Sequence, residues 1–64
     1  MTKNYKSVAV WPESSGIFDE YGKNESSDYH DSKEQAQSIC EMLEREGLGG
    51  IGKIFPILTY VETL

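Results

Sequence analysis

The sequence predicts an α+β domain with the element order β-β-α-β, in which a three-stranded antiparallel sheet carries one helix packed on one face. Two short runs with strand-forming residues precede a single segment of helical periodicity, and a third run follows it. Turn residues separate the runs, and strands in this order close most simply into an antiparallel sheet. The 64 residues are enough for one small domain over positions 1–64.

The three strands are predicted at residues 4–11, 17–21 and 57–62. Pro12 ends the first run, and the turn at residues 13–16 leads into the second, so the two form a hairpin. Residues 22–31 are polar and are predicted as a loop, with a short strand near 27–29 as an alternative. The first strand is the most apolar at its middle, and we expect it in the centre of the sheet.

The helix is the clearest element in the sequence. Asp31 and Ser32 are both good N-caps, each with a Glu or Gln three residues later, and Gly47 is placed to end the helix. The apolar stripe at i, i+3, i+4 and i+7 consists of Ala36, Ile39, Cys40 and Leu43. We expect this stripe in the core, but the pattern does not choose between the two faces of the sheet.

The formal net charge of −5 is concentrated in one third of the chain. Residues 13–34 contain seven acids and two bases, so that this segment alone carries −5 while the rest sums to zero. Such a field repels nucleic acid and attracts basic protein surfaces. The alternative is a solvated segment that only keeps a small protein in solution.

The reactive side chains do not form a catalytic or metal-binding pattern. Cys40 is the only cysteine and lies in the apolar stripe, where we expect a buried structural thiol. His30 is the only histidine, and we interpret it as a surface residue in the acidic loop. One cysteine and one histidine are too few for a zinc site. We therefore predict a protein that is not an enzyme and has no metal or cofactor.

The glycine-rich connector resembles the start of a phosphate-binding loop only in spacing. Gly47, Gly52 and Lys53 match its first positions, but Ile54 stands where a Ser or Thr would bind magnesium. The glycines also follow a helix and precede a strand, whereas a phosphate-binding loop follows a strand and opens a helix. We expect a structural connector.

The sequence predicts a cytoplasmic protein. Its first six residues show no signal-peptide pattern, and no stretch approaches the roughly 20 apolar residues of a membrane span. A lone cysteine is typical of a reducing compartment.

Both faces of the predicted sheet are partly apolar, yet a single helix covers only one. Six of the seven Phe, Trp and Tyr residues are spread over the three predicted strands and the polar loop, and Phe55 lies in the connector before the third strand. Either the segments 22–31 and 48–56 fold over the second face, or that face binds a partner or a second copy. The sequence leaves both open.

By size, acidity and mixed α/β pattern, the chain resembles the small inhibitors that phages direct against host defence proteins, among them anti-CRISPR proteins and DNA mimics. This resemblance is one of composition and brings no residue-by-residue correspondence. It implies a partner protein with a basic surface, no direct nucleic-acid binding and no membrane contact. The acids would imitate phosphates, and exposed aromatics would anchor the contact. The predicted contact residues are Glu13, Asp19, Glu20, Glu25, Asp28 and Asp31 with the aromatic Trp11, Tyr21 and Tyr29. The alternative is a housekeeping structural module or homodimer whose acids only provide solubility.

Overall fold

The computed structural model describes residues 3–64, so the first two residues of the predicted domain lie outside the described residues. Strand β1 spans Tyr5–Val10, β2 spans Glu25–His30 and β3 spans Leu58–Thr63. Helix α1 spans Lys33–Glu46, and a single 3-10 turn occupies Glu13–Ser15. The sheet is antiparallel with the order β2-β1-β3, and the helix packs against it. The predicted fold class and the central place of the first strand are confirmed.

The predicted position of the second strand is wrong. Residues 17–21 form no strand, because the Asp19 carboxylate accepts backbone N–H groups of Tyr21 at 2.8 Å and Lys23 at 2.9 Å and so turns the chain. Gly22 completes this turn with a φ of 80°. The strand that pairs with β1 is instead the polar segment 25–30, which includes the short strand considered near 27–29.

The polar composition of β2 suits its place at the edge of the sheet. Its register with β1 runs from Tyr5 opposite His30 to Val10 opposite Glu25. The pairing satisfies the backbone groups of β2, and only part of its side chains needs an apolar environment. Pairing with a central strand therefore overrides the low strand propensity of Ser and Asp.

The helix forms as the sequence predicts. Ser32 is the N-cap, and its hydroxyl accepts a hydrogen bond from the backbone N–H of Gln35 at 3.2 Å. This bond decides between the two predicted N-caps, Asp31 and Ser32. At the other end, the Gly47 N–H donates to the Leu43 carbonyl at 2.9 Å. In the apolar stripe Ala36 and Cys40 are buried, whereas Ile39 and Leu43 are only half-buried. The expectation of a buried thiol at Cys40 is confirmed, and its Sγ lies 3.5 Å from the Tyr60 carbonyl.

The helix covers the sheet face that carries Ser7 and Ala9. These two residues share a small cavity with Ile39 and Leu43 of the helix, and successive strand residues point to opposite faces. Because Ser7 and Ala9 are small, the helix approaches the sheet closely. Trp11 continues this face beyond the end of β1 and is only 1% exposed. The buried apolar residues are Val8, Ala9, Trp11, Ala36 and Cys40, of which Val8 lies on the opposite face of the sheet.

The connector between α1 and β3 packs against the end of the helix. Leu48 and Ile54 exchange two backbone hydrogen bonds of 2.9 Å, which close the glycine-rich segment into a tight loop. The glycines follow the helix and precede β3, in the arrangement expected of a structural connector. Among residues 3–64 no helix is long and apolar enough to cross a membrane.

Candidate functional site

The structure separates the predicted contact residues into five places: a loop, the two faces of the sheet at β2, the start of the helix and the buried core. Glu13, Asp19, Glu20 and Tyr21 lie in the segment 12–24, which we call the aromatic loop. Glu25 and Tyr29 lie on the sheet face away from the helix, and Asp28 points to the helix side of the same strand. Asp31 lies just before the helix. The acidic residues therefore do not form one continuous surface.

Trp11, one of the predicted contact residues, is buried in the structure and is not exposed as a contact residue would need to be. Its side chain is 1% exposed, and its indole N–H donates to the Ser26 hydroxyl at 2.8 Å. A partner could reach it only by opening the core. The sequence pattern did not show that the helix covers the sheet face on which Trp11 lies.

The aromatic loop presents two aromatic side chains to solvent. Phe18 is 61% exposed and Tyr21 is 80% exposed. Both are aromatic residues, a type that is enriched at protein–protein interfaces. Glu13 and Glu20 are exposed in the same loop. The loop thus exposes two aromatic rings and two negative charges together.

Hydrogen bonds fix the shape of this loop. The Trp11 N–H donates to the Asn24 carbonyl at 2.7 Å, and the Asp19 N–H donates to the Lys23 carbonyl at 2.8 Å. The Asn24 side-chain amide donates to the Ile17 carbonyl at 2.9 Å and ties the two limbs together. Asp19 is thus a structural residue of the loop, because its carboxylate accepts two backbone N–H groups.

The sheet face away from the helix is the second candidate surface, and we call it the open sheet face. By strand alternation it carries Lys6, Val8, Val10, Glu25, Ser27, Tyr29, Leu58, Tyr60 and Glu62. Val8 at its centre is 3% exposed, but Tyr29, Leu58 and Tyr60 around it are 49%, 54% and 42% exposed. Because these three side chains are about half exposed, no other segment of residues 3–64 covers them completely.

The charges of the open sheet face lie at its rim. Lys6 is directly opposite Tyr29 on one side and Glu62 on the other, and its Nζ lies 5.8 Å from the centre of the Tyr29 ring. Glu25 lies at the other end of the face, opposite Val10. The face therefore has an apolar middle with one basic and two acidic side chains around it.

His30 is not a free surface residue as the sequence indicated. It is half-buried, and its Nε2 shares a 2.9 Å hydrogen bond with the Ser7 hydroxyl across the strand pair. Beside it a cavity of about 590 Å³ opens between the start of the helix and β2, with Lys3, Glu34 and Gln35 in its wall. Ser7 and His30 are 23 residues apart in the sequence, so no local pattern indicates their contact. The contact follows only from the register between β1 and β2.

The Ser7–His30 pair does not have the geometry of a nucleophile and its base. Ser7 is 4% exposed, and no carboxylate among residues 3–64 hydrogen-bonds the imidazole to orient it. Nucleophilic catalysis needs an accessible hydroxyl and an oriented base. The bond satisfies two polar groups beneath the helix. Within the same residues no three His, Cys, Asp or Glu side chains are grouped to bind a metal ion.

Comparisons with protein-family models, with curated proteins and with solved structures give no match.

Proposed function

We propose that this protein is a non-enzymatic binding module that docks on a basic protein surface through its aromatic loop. The observation that supports this most directly is the exposure of Phe18 and Tyr21 on a loop whose shape is fixed by hydrogen bonds. Leaving two large aromatic rings in water has no benefit for the fold. Aromatic side chains in the centre of a contact contribute a large share of binding free energy.

The fixed shape of the loop favours binding. A flexible loop loses conformational entropy when it binds, at a cost of about 0.5–1.5 kcal/mol for each side chain that is immobilised. In this loop Asp19, Asn24 and Gly22 already hold the backbone in one conformation. The backbone part of the ordering cost is therefore met during folding, and the side-chain part is confined to the exposed residues that make the contact.

The charge of the loop favours a basic partner. Glu13 and Glu20 flank the exposed rings, and the whole chain carries −5. Complementary charge accelerates encounter and disfavours acidic partners, nucleic acids included. The more specific form of this proposal is an inhibitor that occupies a nucleic-acid-binding surface of a defence protein, as in the phage inhibitors that the composition resembles. A cytoplasmic location belongs to the same proposal and is supported by the free thiol of Cys40.

Comparative affinity capture tests the proposal. Wild type, a Phe18→Ser/Tyr21→Ser variant and an Ile51→Ser control would be used in parallel on extract of the source cell. Ile51 is fully exposed in the connector, so the control removes an apolar side chain from another part of the surface. We expect a specific protein that is retained by wild type and by the control and lost from the loop variant.

The captured protein then tests the specific form. It should have a basic surface, and its binding should weaken between low and high salt because exposed charges are screened beyond about 8–10 Å. Inhibition of its nucleic-acid binding would support the inhibitor. A loop variant that captures the same proteins as wild type would refute the aromatic loop as the contact.

A further inference from the structure

We propose that the open sheet face is a dimer interface that binds the same face of a second copy of this chain. The two-fold axis lies between the two sheets, parallel to both of them, and crosses the strands at right angles at the level of Val8. This surface is separate from the aromatic loop. The proposal therefore does not depend on the proposed partner.

The first argument is the amount of exposed surface. The chain exposes 4599 Å², whereas a monomer of this mass typically exposes about 4,100 Å². The chain therefore exposes roughly 500 Å² more than is typical, and Tyr29, Leu58 and Tyr60 of the open sheet face, each about half exposed, contribute to its exposed surface. With only five buried apolar side chains among residues 3–64, the chain would gain stability from association.

The second argument is the apolar character of the face itself. Tyr29, Leu58 and Tyr60 are each about half exposed and surround the nearly buried Val8. The exposed parts of these three residues together amount to on the order of 300 Å², and an apolar patch of this size on a small protein is often a functional surface. Three strands of six residues make a face of about 14 by 20 Å. Such a face suits a second sheet about 10 Å away and a dimer that dissociates on dilution.

The third argument is charge complementarity, which also selects the axis. A two-fold axis parallel to the strands would place Lys6 against Lys6 of the second copy, where two like charges repel. The axis at right angles reverses the strand direction and places Lys6 over Val10 of the second copy, beside its Glu25. Tyr29 then lies over the same Glu25. Each interface would contain this set of contacts twice, as a two-fold interface requires.

The same axis makes a sharp prediction for Tyr60. Tyr60 is directly opposite Val8 in the register, so it lies at the level of the axis and meets Tyr60 of the second copy. Tyr60→Lys would place two positive charges together and Tyr60→Glu two negative charges. Each variant alone should be monomeric, and an equimolar mixture of the two should form a heterodimer.

Sedimentation velocity from about 1 µM to about 1 mM measures the association. We expect wild type to shift from monomer to dimer in this range, and each Tyr60 variant to need at least tenfold more protein. Lys6→Glu should weaken the dimer, and the double variant Lys6→Glu/Glu25→Lys should restore it. Phe18→Lys and Ile51→Lys are matched controls that add a charge elsewhere and should leave the dimer unchanged.

Several results would overturn the proposal. Wild type that stays monomeric at 1 mM would exclude the dimer, as would a dimer that tolerates both Tyr60 variants and is broken by Phe18→Lys. Failure of the mixed Tyr60 variants to associate, with each still folded by circular dichroism, would exclude this axis. If the Tyr60 variants do not fold, Leu58→Glu replaces them, since Leu58 is 54% exposed and the same axis places it over Glu62 of the second copy, where two negative charges would meet.

Discussion

Replacement of Gly47 by alanine should be among the most damaging single changes in this protein. Gly47 has a φ of 69° and a ψ of −167°, a region of backbone space that is essentially restricted to glycine. A side chain there costs about 1–3 kcal/mol from backbone strain alone. A Cβ at this position would also lie 2.6 Å from the Ile54 carbonyl oxygen and 3.2 Å from the ring of Phe55.

The contact with Ile54 adds to the strain because Ile54 cannot move freely. Its N–H and carbonyl both bond Leu48 at 2.9 Å, and displacement would weaken two hydrogen bonds worth about 1 kcal/mol each. Alanine stabilises relative to glycine by about 0.4–1 kcal/mol through the unfolded chain. The net loss should be about 2–4 kcal/mol, out of a total of roughly 3–10 kcal/mol for a chain of this length.

Gly16→Ala is the matched control. Gly16 also has a positive φ, 75°, but a Cβ there meets nothing within 4 Å. Alanine at this position therefore costs only backbone strain of about 1–2 kcal/mol, which is partly offset because alanine also restricts the unfolded chain. Urea unfolding followed by the fluorescence of the single, buried Trp11 gives both free energies. Equal losses in the two variants would refute the close approach of Gly47 to Ile54 and with it the packing of the connector on the helix end.

Three further changes test other parts of the structure. Asp19→Ala should destabilise by about 0.5–1.5 kcal/mol by removing two hydrogen-bond acceptors of the loop, and Asp19→Asn should restore most of this in the same urea assay. Trp11→Phe should cost about 1–3 kcal/mol, measured by circular dichroism, because it leaves the Ser26 hydroxyl without its indole donor and the core underfilled. Cys40 should react with a thiol reagent only as fast as the protein opens, so the rate should rise steeply with urea, and rapid reaction in buffer would contradict its burial.

The helix and the central strand could be read from the sequence because their signals are local. The cap at Ser32, the stripe from Ala36 to Cys40 and the stop at Gly47 lie within 16 residues, and each acts through neighbours along the chain. The apolar middle of the first strand likewise indicated a central position, and both neighbouring strands pair there. Such features need no knowledge of distant residues.

The second strand could not be read locally. Ile17, Phe18 and Tyr21 resemble a strand in composition, but Asp19 turns the chain through its own hydrogen bonds. The segment 25–30 is polar and becomes a strand only because β1 offers a partner edge. Because the sequence predicted residues 25–30 as part of a loop, it could not assign Glu25, Asp28 and Tyr29 to faces of the sheet. That assignment depends on the register between β1 and β2.

The sequence by itself determined the fold class, the helix with its caps, the central strand and the location of the charge in residues 13–34, because propensity, capping and composition are properties of short segments. The tertiary structure alone decided that Trp11 is core, that Phe18 and Tyr21 are exposed, that Ser7 bonds His30, and which face of the sheet is open. These outcomes depend on strand register and on the side from which the helix approaches. A shift of one residue in register would exchange the two faces, so this choice belongs to packing across the whole chain and not to any one segment.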